Sequence, residues 1–380
     1  MCIISKCLKM SRCRLCGNDI SQSSHLVLEN VPAGAQLFLK SIDAAHEDAI
    51  NLLITQCEFC GLVQSSSPPV PYCRNVITAA GLSAAMRQHR ESQVRKFTDT
   101  YGLVGKSAVE IGCGNGFFLE ILDKSGLIAF GTEWGGAKGL NYPVADVYPE
   151  PGIKIPGGPF NAFFCLNFLE HAPDPVGFLT GIRQNLTEEA AGLIEVPNYM
   201  QQRRLGRVFD YIADHVSYFD INTITTMLSI SGFVIDQVME TRNGENIEVW
   251  LRNRKQSGLS SDAKTIESTY NHLAEWLANQ KIAKQNVAVW GASHQALTIL
   301  ARCSSDEISC IFDSAHFKQN LYSPVSHLPV KKPTKEALAG IDCILIIASG
   351  YEQEIKSTLI EKLEFAGNIY YFKGNEIHAL

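Results

Sequence analysis

Four cysteines form two pairs with the same spacing. Cys13 and Cys16 lie in CRLCG, and Cys57 and Cys60 lie in CEFCG. A CxxCG turn points two thiolates at one ion while backbone amides bond to the sulfurs, and two such turns complete a tetrahedral four-thiolate site. Because protein ligands fill all four positions, the pattern predicts a structural zinc site. The alternative interpretation is four ordinary buried cysteines.

A glycine-rich turn follows an apolar segment in AVEIGCGNGFFLEIL, residues 108–122. A predicted strand ends around Glu110, the turn carries Gly112, Gly114 and Gly116, and an apolar helix follows. Glycines let the backbone approach a ligand closely. The GxGxG form behind an acidic residue resembles class I methyltransferases, which bind S-adenosylmethionine. This resemblance implies that Glu110 engages the methionine ammonium, directly or through water.

A second carboxylate falls at the end of the next predicted strand, where it could bind ribose hydroxyls. Glu133 of AFGTEW takes this position, and Trp134 could lie against the adenine. The alternative for Glu133 is a solvated loop acid. Too few residues separate Glu133 from the next apolar piece for a crossover helix, so an adenine contact from Asp146 is left open.

The next predicted strand leads into Asn167 and the motif LEHAPDP, residues 169–175. This arrangement is also typical of class I methyltransferases, and it makes Asn167 a candidate contact for the methionine part of the cofactor. Glu170 and His171 have a structural alternative, which is to cap the helix that follows. Asp174 at the N-cap and Pro175 at the first helical position would start that helix.

The surrounding elements predict an α/β protein in three parts. Strand-like runs alternate with helical patterns, which indicates a parallel sheet with crossover helices; they cover 107–111, 128–133, 162–166, 192–196, 233–238 and 247–251. We expect an N-terminal zinc-binding module over 1–72 and a class I, Rossmann-like methyltransferase domain over 73–255. A second Rossmann-like domain over 256–380 begins with the strand, turn and helix of NVAVWGASHQALTIL.

Composition and charge narrow the class of protein. The 380 residues carry 33 Lys and Arg against 39 Asp and Glu, a net charge of −6, and the basic residues are scattered. Nucleic acid is therefore disfavoured as the main partner. The longest apolar run, 341–349, is about half of the roughly 18 residues that cross a bilayer. The N-terminus lacks the features of a secretory signal, so we expect a cytoplasmic protein without a membrane span.

The order of motifs along the whole chain resembles the C-methyltransferase family that methylates nucleotide-linked deoxysugars, notably at sugar carbon 3. In that family a Tyr-x-Glu-His-x-Ser-Tyr-Phe element supplies a histidine general base. Here FDYIADHVSYF matches it, so the resemblance implies that His215 is the base and that Asp214 replaces the glutamate. Ile212 occupies the tyrosine position, and Tyr211 is one residue out of register. Tyr72 is the nearest candidate for a second family tyrosine.

Methylation at carbon needs an acidic C–H and a base to remove the proton. Histidine suits this role because its free pKa lies near neutrality, and Asp214 could orient the ring or raise its basicity. The same base would also serve an oxygen or nitrogen acceptor. The altered acceptor motifs, including a C-terminal turn Gly291-Ala292 without the family lysine, leave the acceptor's identity open.

Three functions are therefore considered. The first is C-methylation of a nucleotide-linked keto-sugar, and the second is methylation of another small metabolite at carbon, oxygen or nitrogen. The third is a binding or assembly protein with a degraded Rossmann fold, which the complete glycine turn disfavours. We do not expect the C-terminal domain to bind S-adenosylmethionine, because VWGASHQA has one glycine and no preceding acid. We expect it to cover the acceptor. The sequence does not indicate an oligomeric state.

Overall fold

The structure is a computed structural model that describes residues 11–34, 49–66, 83–135, 139–255, 258–303 and 306–380. Tyr72 lies outside these residues. The chain divides into two compact units, Met1–Lys255 and Gln256–Leu380. The further division of the first unit into a module over 1–72 and a domain over 73–255 stays a prediction.

The first unit contains two sheets and the helices that pack on them. In chain order its elements are β1 (His25–Pro32), β2 (Ala49–Gln56), β3 (Val63–Ser65), α1 (Ala84–Tyr101), β4 (Ser107–Ile111), α2 (Phe117–Lys124), β5 (Ile128–Thr132), β6 (Val144–Ala145), β7 (Phe160–Leu166), α3 (Pro175–Arg183), β8 (Leu186–Pro197), α4 (Tyr199–Arg204), β9 (Ser217–Tyr218), α5 (Ile221–Ile230), β10 (Phe233–Thr241) and β11 (Asn246–Asn253).

The larger sheet has the strand order β10-β11-β8-β7-β4-β5-β6. Strands β8, β7, β4, β5 and β6 run parallel, so their carboxyl ends meet at one edge. The expectation of a wholly parallel sheet is wrong at the other edge, where β11 pairs antiparallel with both β8 and β10. The physical reason is the connection between β10 and β11, the turn Arg242–Gly244. A parallel return needs a crossover of about ten residues or more.

Local sequence explains where the helices of this unit begin. At α3 the Asp174 side chain accepts a hydrogen bond from the Gly177 amide and Pro175 stands at the first helical position, as predicted from PDP. At α1 the Ser83 hydroxyl caps the Met86 amide. Two fully buried clusters then hold the helices to the sheet, with large aromatic side chains at Phe97, Phe160, Phe163, Phe164, Phe178 and Phe233.

The smaller sheet joins the cysteine-containing region to the rest of the first unit. Its order is β1-β2-β3-β9. The last strand comes from far along the chain, because Val63 pairs with Tyr218 and Gln64 pairs with Ser217. The segment that follows His215 is therefore held by the sheet that also carries the second cysteine pair.

The second unit is a six-stranded sheet of order β14-β13-β12-β15-β16-β17, parallel except at β17. Its elements are α6 (Leu259–Ile282), β12 (Val287–Trp290), α7 (His294–Leu300), β13 (Cys310–Phe312), β14 (Val330–Lys331), α8 (Lys335–Leu338), β15 (Cys343–Ile346), α9 (Glu352–Ser357), β16 (Asn368–Lys373) and β17 (Glu376–Ala379). This α/β arrangement agrees with the Rossmann-like fold expected there. Among the described residues, the helices include none with the length and apolar character to cross a membrane.

Candidate active site

The four paired cysteines meet in space. Their sulfurs all lie within 4.8 Å of one another, with Cys13 and Cys60 at 3.5 Å and Cys16 and Cys57 at 3.6 Å. Four thiolates at Zn–S distances of about 2.3 Å around one ion would stand at similar separations. Glycines at positive φ, Gly17 and Gly61, close the two turns. This donor set fits zinc, as the spacing predicts.

A large cavity lies at the carboxyl ends of the parallel strands in the first unit. Its volume is about 1480 Å³. Single-ligand pockets are typically about 300–1,000 Å³, so this cavity has room for a cofactor and an acceptor together. The predicted cofactor residues line it, namely Glu110, Gly112, Gly114, Glu133, Trp134 and Asn167. The predicted base and its neighbour, His215 and Asp214, line the same cavity.

The glycine turn has the geometry that a close ligand approach requires. Gly112 adopts φ 77°, and an added Cβ there would lie 2.3 Å from the Phe168 ring. Gly114 adopts φ 50°, and its Cβ position faces open space. The Gly114 amide donates to Glu133 Oε2 at 2.8 Å, which links the turn to the end of β5. Gly116 is the N-cap residue of α2 and packs near Leu140 rather than lining the cavity.

Two carboxyl groups lie near this turn, the buried Glu110 and the half-buried Glu133. Glu110 is 6% exposed, and its Oε2 has no hydrogen-bond partner among the described residues. Burial raises the pKa of Glu110 well above its usual value, and the charge of Glu133 raises it further. Burial also raises the pKa of Glu133. A cationic ligand would relieve both effects, and S-adenosylmethionine carries an ammonium and a sulfonium.

A buried ion pair that was not predicted from the sequence lies at the wall of the cavity, which Arg90 lines. Arg90 of α1 donates to both carboxylate oxygens of Glu195, each at 2.6 Å, and Gln93 joins Glu195 to Glu248. Asn246 donates to Glu195 at 2.6 Å and to Asn167 Oδ1 at 3.0 Å. Asn167 is thus held with φ 49° at the end of β7. No local pattern signals partners that stand about a hundred residues apart.

Three titratable side chains that line the cavity lie close together. Glu170, His171 and His215 each offer a ligand or proton-binding atom within 4.8 Å of the others. The two imidazole rings meet edge to face at 4.9 Å between centroids, and His171 Nδ1 lies 3.0 Å from the Asp214 backbone oxygen. Neither Glu170 nor His171 caps α3, because Asp174 does so.

Burial controls the protonation of this cluster. It lowers the pKa of His215 to about 3, with a further contribution from the charge of His171. Burial likewise lowers the pKa of His171 and raises that of Glu170 to about 8. These shifts favour the uncharged form of both imidazoles and the protonated form of Glu170. The pKa of His215 thus lies below the near-neutral value of a free histidine.

The tyrosine positions differ from those that the resemblance implied. The Tyr211 hydroxyl lies 3.2 Å from the Tyr199 hydroxyl, and Tyr211 does not line the cavity. Ile212 lines it instead, with its backbone held by the Tyr218 hydroxyl. The one-residue shift in the sequence thus places an aliphatic side chain beside His215, where the family has a phenol.

The glycine turn of the second unit has its polar groups already satisfied. The Ala292 amide donates to Asp313 at 2.7 Å, and Lys318 Nζ donates to Asp313 at 3.1 Å and to the Ala292 oxygen at 3.0 Å. Burial acts to raise the pKa of Asp313, but backbone hydrogen bonds from Ala315 and Ala292, followed by the hydrogen bond and charge of Lys318, keep it low. We still predict that this turn does not bind S-adenosylmethionine.

Comparison with known families agrees with these features. Residues 86–238 match the family described as a methyltransferase domain. These residues contain the glycine turn, Glu133 and the histidine cluster, and they place the chain among the S-adenosylmethionine-dependent methyltransferases. Residues 236–372 match the family described as the C-methyltransferase C-terminal domain. Together the two matches run from residue 86 to residue 372 and support an S-adenosylmethionine-dependent C-methyltransferase family.

Individual relatives cover only part of the chain. Ubiquinone biosynthesis O-methyltransferase of Methylococcus capsulatus is 33% identical over 84 residues, which are 19% of this chain and 35% of that protein. The enzyme of the same name from Pseudomonas fluorescens is 28% identical over 94 residues, 22% of this chain and 40% of that protein. The chain thus spans little more than a third of the curated relatives it matches.

Solved structures that match part of the chain have lower sequence identity than these relatives. Magnesium protoporphyrin IX methyltransferase from Synechocystis, with bound SAH, has a TM-score of 0.35 and 14% identity, over 47% of this chain and 90% of that one. A methyltransferase from Clostridium acetobutylicum has a TM-score of 0.36 and 10% identity, over 44% of this chain and 92% of that one.

Proposed function

We propose that this protein transfers the methyl group of S-adenosylmethionine to a carbon atom of a small-molecule acceptor. The observation that carries the proposal is one cavity that is lined both by a cofactor-type turn, with Glu110 and Glu133, and by a half-buried histidine, His215. A binding protein that had lost its catalytic function would not be expected to keep the glycine turn and the histidine in one cavity.

The residues present fit the cofactor. Glu133 would hold the ribose hydroxyls, Glu110 and Asn167 would face the methionine part, and Trp134 would lie against the adenine. The orphaned Glu110 Oε2 and the open space at Gly114 support this assignment. When bound, S-adenosylmethionine supplies an electrophilic methyl group.

His215 would act on the acceptor by taking a proton. Its ring nitrogens have no side-chain hydrogen-bond partner among the described residues, and the imidazole is uncharged at neutral pH. In this unprotonated form it can accept the proton of an acidic C–H next to a carbonyl, leaving a carbanion or enolate on the acceptor, but its lowered pKa makes it a weaker base than a solvated imidazole. Asp214 and His171 would position this segment through the contact between the Asp214 backbone oxygen and the His171 ring.

The acceptor that we favour is a nucleotide-linked keto-sugar. It supplies the acidic C–H that carbon methylation needs, and the order of motifs resembles the family that uses such acceptors. The competing function is O-methylation of another metabolite, which the names of the partial relatives favour. We further propose that the zinc site is structural.

Acceptor profiling with isotopically labelled S-adenosylmethionine tests the proposed function. We expect label transfer to a nucleotide-linked keto-sugar and a carbon-bound methyl group in the product by NMR. A methoxy product, or transfer only to phenolic acceptors, would contradict carbon methylation and support the competing function, O-methylation. No transfer to any acceptor, with no binding of S-adenosylhomocysteine, would refute the methyltransferase proposal itself.

We predict that Glu133→Ala weakens S-adenosylhomocysteine binding about 10- to 100-fold. The reason is the loss of a bidentate charge-assisted contact with the ribose, which contributes about 1.5–3 kcal/mol. Calorimetry would measure the change. Glu188→Ala is the matched control, because Glu188 is an exposed glutamate that does not line the cavity. Equal affinity of the Glu133→Ala protein and the wild type would remove Glu133 from the cofactor site.

A further inference from the structure

A second, smaller cavity adjoins the first, and His215 lies between the two. Its volume is about 440 Å³. Five residues belong to the linings of both cavities: Pro197, Ile212, His215, Arg242 and Asn246. A molecule that contacts His215 from the first cavity would therefore lie close to the second cavity.

Buried hydrogen-bond donors line this second cavity without partners. Gln202 is 6% exposed and Ser217 is 1% exposed. Neither Gln202 Nε2 nor Ser217 Oγ has a hydrogen-bond partner among the described residues. Buried polar groups in folded proteins are rarely left unpaired, because losing water without a replacement partner is unfavourable. An occupant rich in hydrogen-bond acceptors would satisfy both.

A strained turn presents an arginine to the same space. Arg242, Asn243 and Gly244 adopt φ values of 53°, 59° and 88°, three consecutive residues in the left-handed region. Gln201 Nε2 donates to the Asn243 oxygen at 3.3 Å, and Asn198 Nδ2 donates to the Gly244 oxygen at 2.9 Å. Such backbone is uncommon for residues with side chains and concentrates at functional sites.

The other charged groups of this cavity already have partners. Arg207 donates to both carboxylate oxygens of Glu245, at 3.0 and 2.6 Å, and its Nε lies 2.8 Å from Asp210 Oδ2. Arg242, in contrast, makes no ion pair or side-chain hydrogen bond in the part of the chain that the structure describes. Its charge reaches Glu245 only at longer range and adds to the Arg207 hydrogen bond in keeping the pKa of Glu245 low. The guanidinium N–H groups of Arg242 are therefore available to a ligand.

We infer that the second cavity binds an oxyanion of the methyl acceptor, a phosphate or a carboxylate, through Arg242, Gln202 and Ser217. This inference rests on the proposed function, because it assigns the cavity to the acceptor. A guanidinium matches the geometry of both oxyanions, and the amide and hydroxyl donors would complete the contacts. The reacting carbon of the acceptor would then be fixed at His215 by a charge at its other end.

Calorimetric titration of the full chain with inorganic phosphate and, separately, with acetate tests the inference. We expect saturable binding of at least one anion, and the preferred anion identifies the source of the oxyanion. Arg242→Gln should weaken that binding about 10- to 100-fold. Arg242→Lys keeps the charge and should restore most of it, and Ser217→Ala should cause a smaller loss. S-adenosylhomocysteine affinity, measured on the same proteins, should stay within about twofold of the wild-type value.

The control is Arg204→Gln, which removes the same charge. Arg204 is ion-paired with Glu240 at the surface and lines neither cavity. The inference is overturned if the wild type shows no saturable anion binding, if Arg242→Gln binds like the wild type, or if Arg204→Gln weakens binding equally. The results distinguish failure of this inference from failure of the proposed function. If only this inference is wrong, the protein binds S-adenosylhomocysteine but not the anion. If the proposed function is wrong, the protein binds the anion but not S-adenosylhomocysteine.

Discussion

Replacing His215 by alanine is expected to lower kcat by about 10²–10⁴-fold, the usual contribution of a positioned general base. The affinity for S-adenosylhomocysteine should stay within a few-fold of wild type, because His215 lies at the acceptor end of the cavity. Steady-state kinetics with a turned-over acceptor and calorimetry with S-adenosylhomocysteine measure the two quantities. His294→Ala in the second unit is a matched control, since that ring is exposed.

Near-normal turnover of the His215→Ala protein would contradict this role. The general base would then have to be His171 or a group of the acceptor itself. Asp214→Asn should cost less than His215→Ala, because Asp214 is expected to orient the base without taking the proton. Tyr211→Phe should cost about tenfold or less if its hydroxyl only helps to position the segment.

The pH dependence gives a separate test of His215. Burial holds its pKa at about 3, so the ring stays in its proton-accepting form from pH 8 down to well below pH 5. The profile of kcat/KM, which reports the free enzyme, should therefore show no acid limb that depends on His215 over pH 5–8. A limb near pH 6.5 that disappears in His215→Gln would show instead that the ring is well solvated.

Removing the zinc site is expected to have the second largest effect on activity and stability. Cys57→Ser should reduce zinc from one ion per chain to well below half, lower the stability of the surrounding module, and reduce kcat at least tenfold. Structural zinc contributes about 10–16 kcal/mol of apparent binding free energy in small zinc-finger peptides. Elemental analysis, thermal unfolding and kinetics on the same preparation measure the three changes.

The effect on kcat follows from the contacts between the cysteine region and the catalytic segments. Strand β3, which begins three residues after Cys60, pairs with β9, and the Ser65 amide donates to the Val216 oxygen at 3.1 Å. Arg14, between the first two cysteines, donates to the Ser65 oxygen at 2.6 Å and to the Pro173 oxygen at 3.2 Å. Zinc would thus hold both segments that carry the histidines.

The matched control for the zinc variant is Cys303→Ser, a partly buried cysteine of the second unit outside the cluster. It should retain one zinc per chain and normal turnover. A wild-type protein with far less than one zinc per chain after careful purification would contradict the zinc assignment. Full activity in a zinc-free Cys57→Ser protein would contradict the coupling to His215.

Residues with strong local signals were predicted well. Strand β4 has the predicted bounds, because a short apolar run before a glycine turn defines both ends. Asp174 and Pro175 start α3 for the same kind of local reason. Strand β8, in contrast, begins at Leu186 instead of near residue 192, since TEEA at its start is polar and reads as a turn.

Features that depend on distant residues could not be predicted. The Arg90–Glu195 pair joins α1 to β8, and β9 is a two-residue strand whose partner lies in the cysteine region. Arg242 stands in a turn between two strands, where an arginine looks like an ordinary surface residue. Burial of Glu170 also had no signal, because its position before Asp174 suggested a cap. In each case the deciding interaction is tertiary packing, which composition and periodicity do not contain.

A crystal structure of the full chain with S-adenosylhomocysteine tests the central claim most directly. We predict electron density in the large cavity, with the ribose hydroxyls on Glu133, the methionine part at the turn of Gly112 and Gly114, and the sulfur directed toward His215. Density at the Gly291 turn of the second unit, or a cofactor whose ribose lies away from Glu133, would contradict the account.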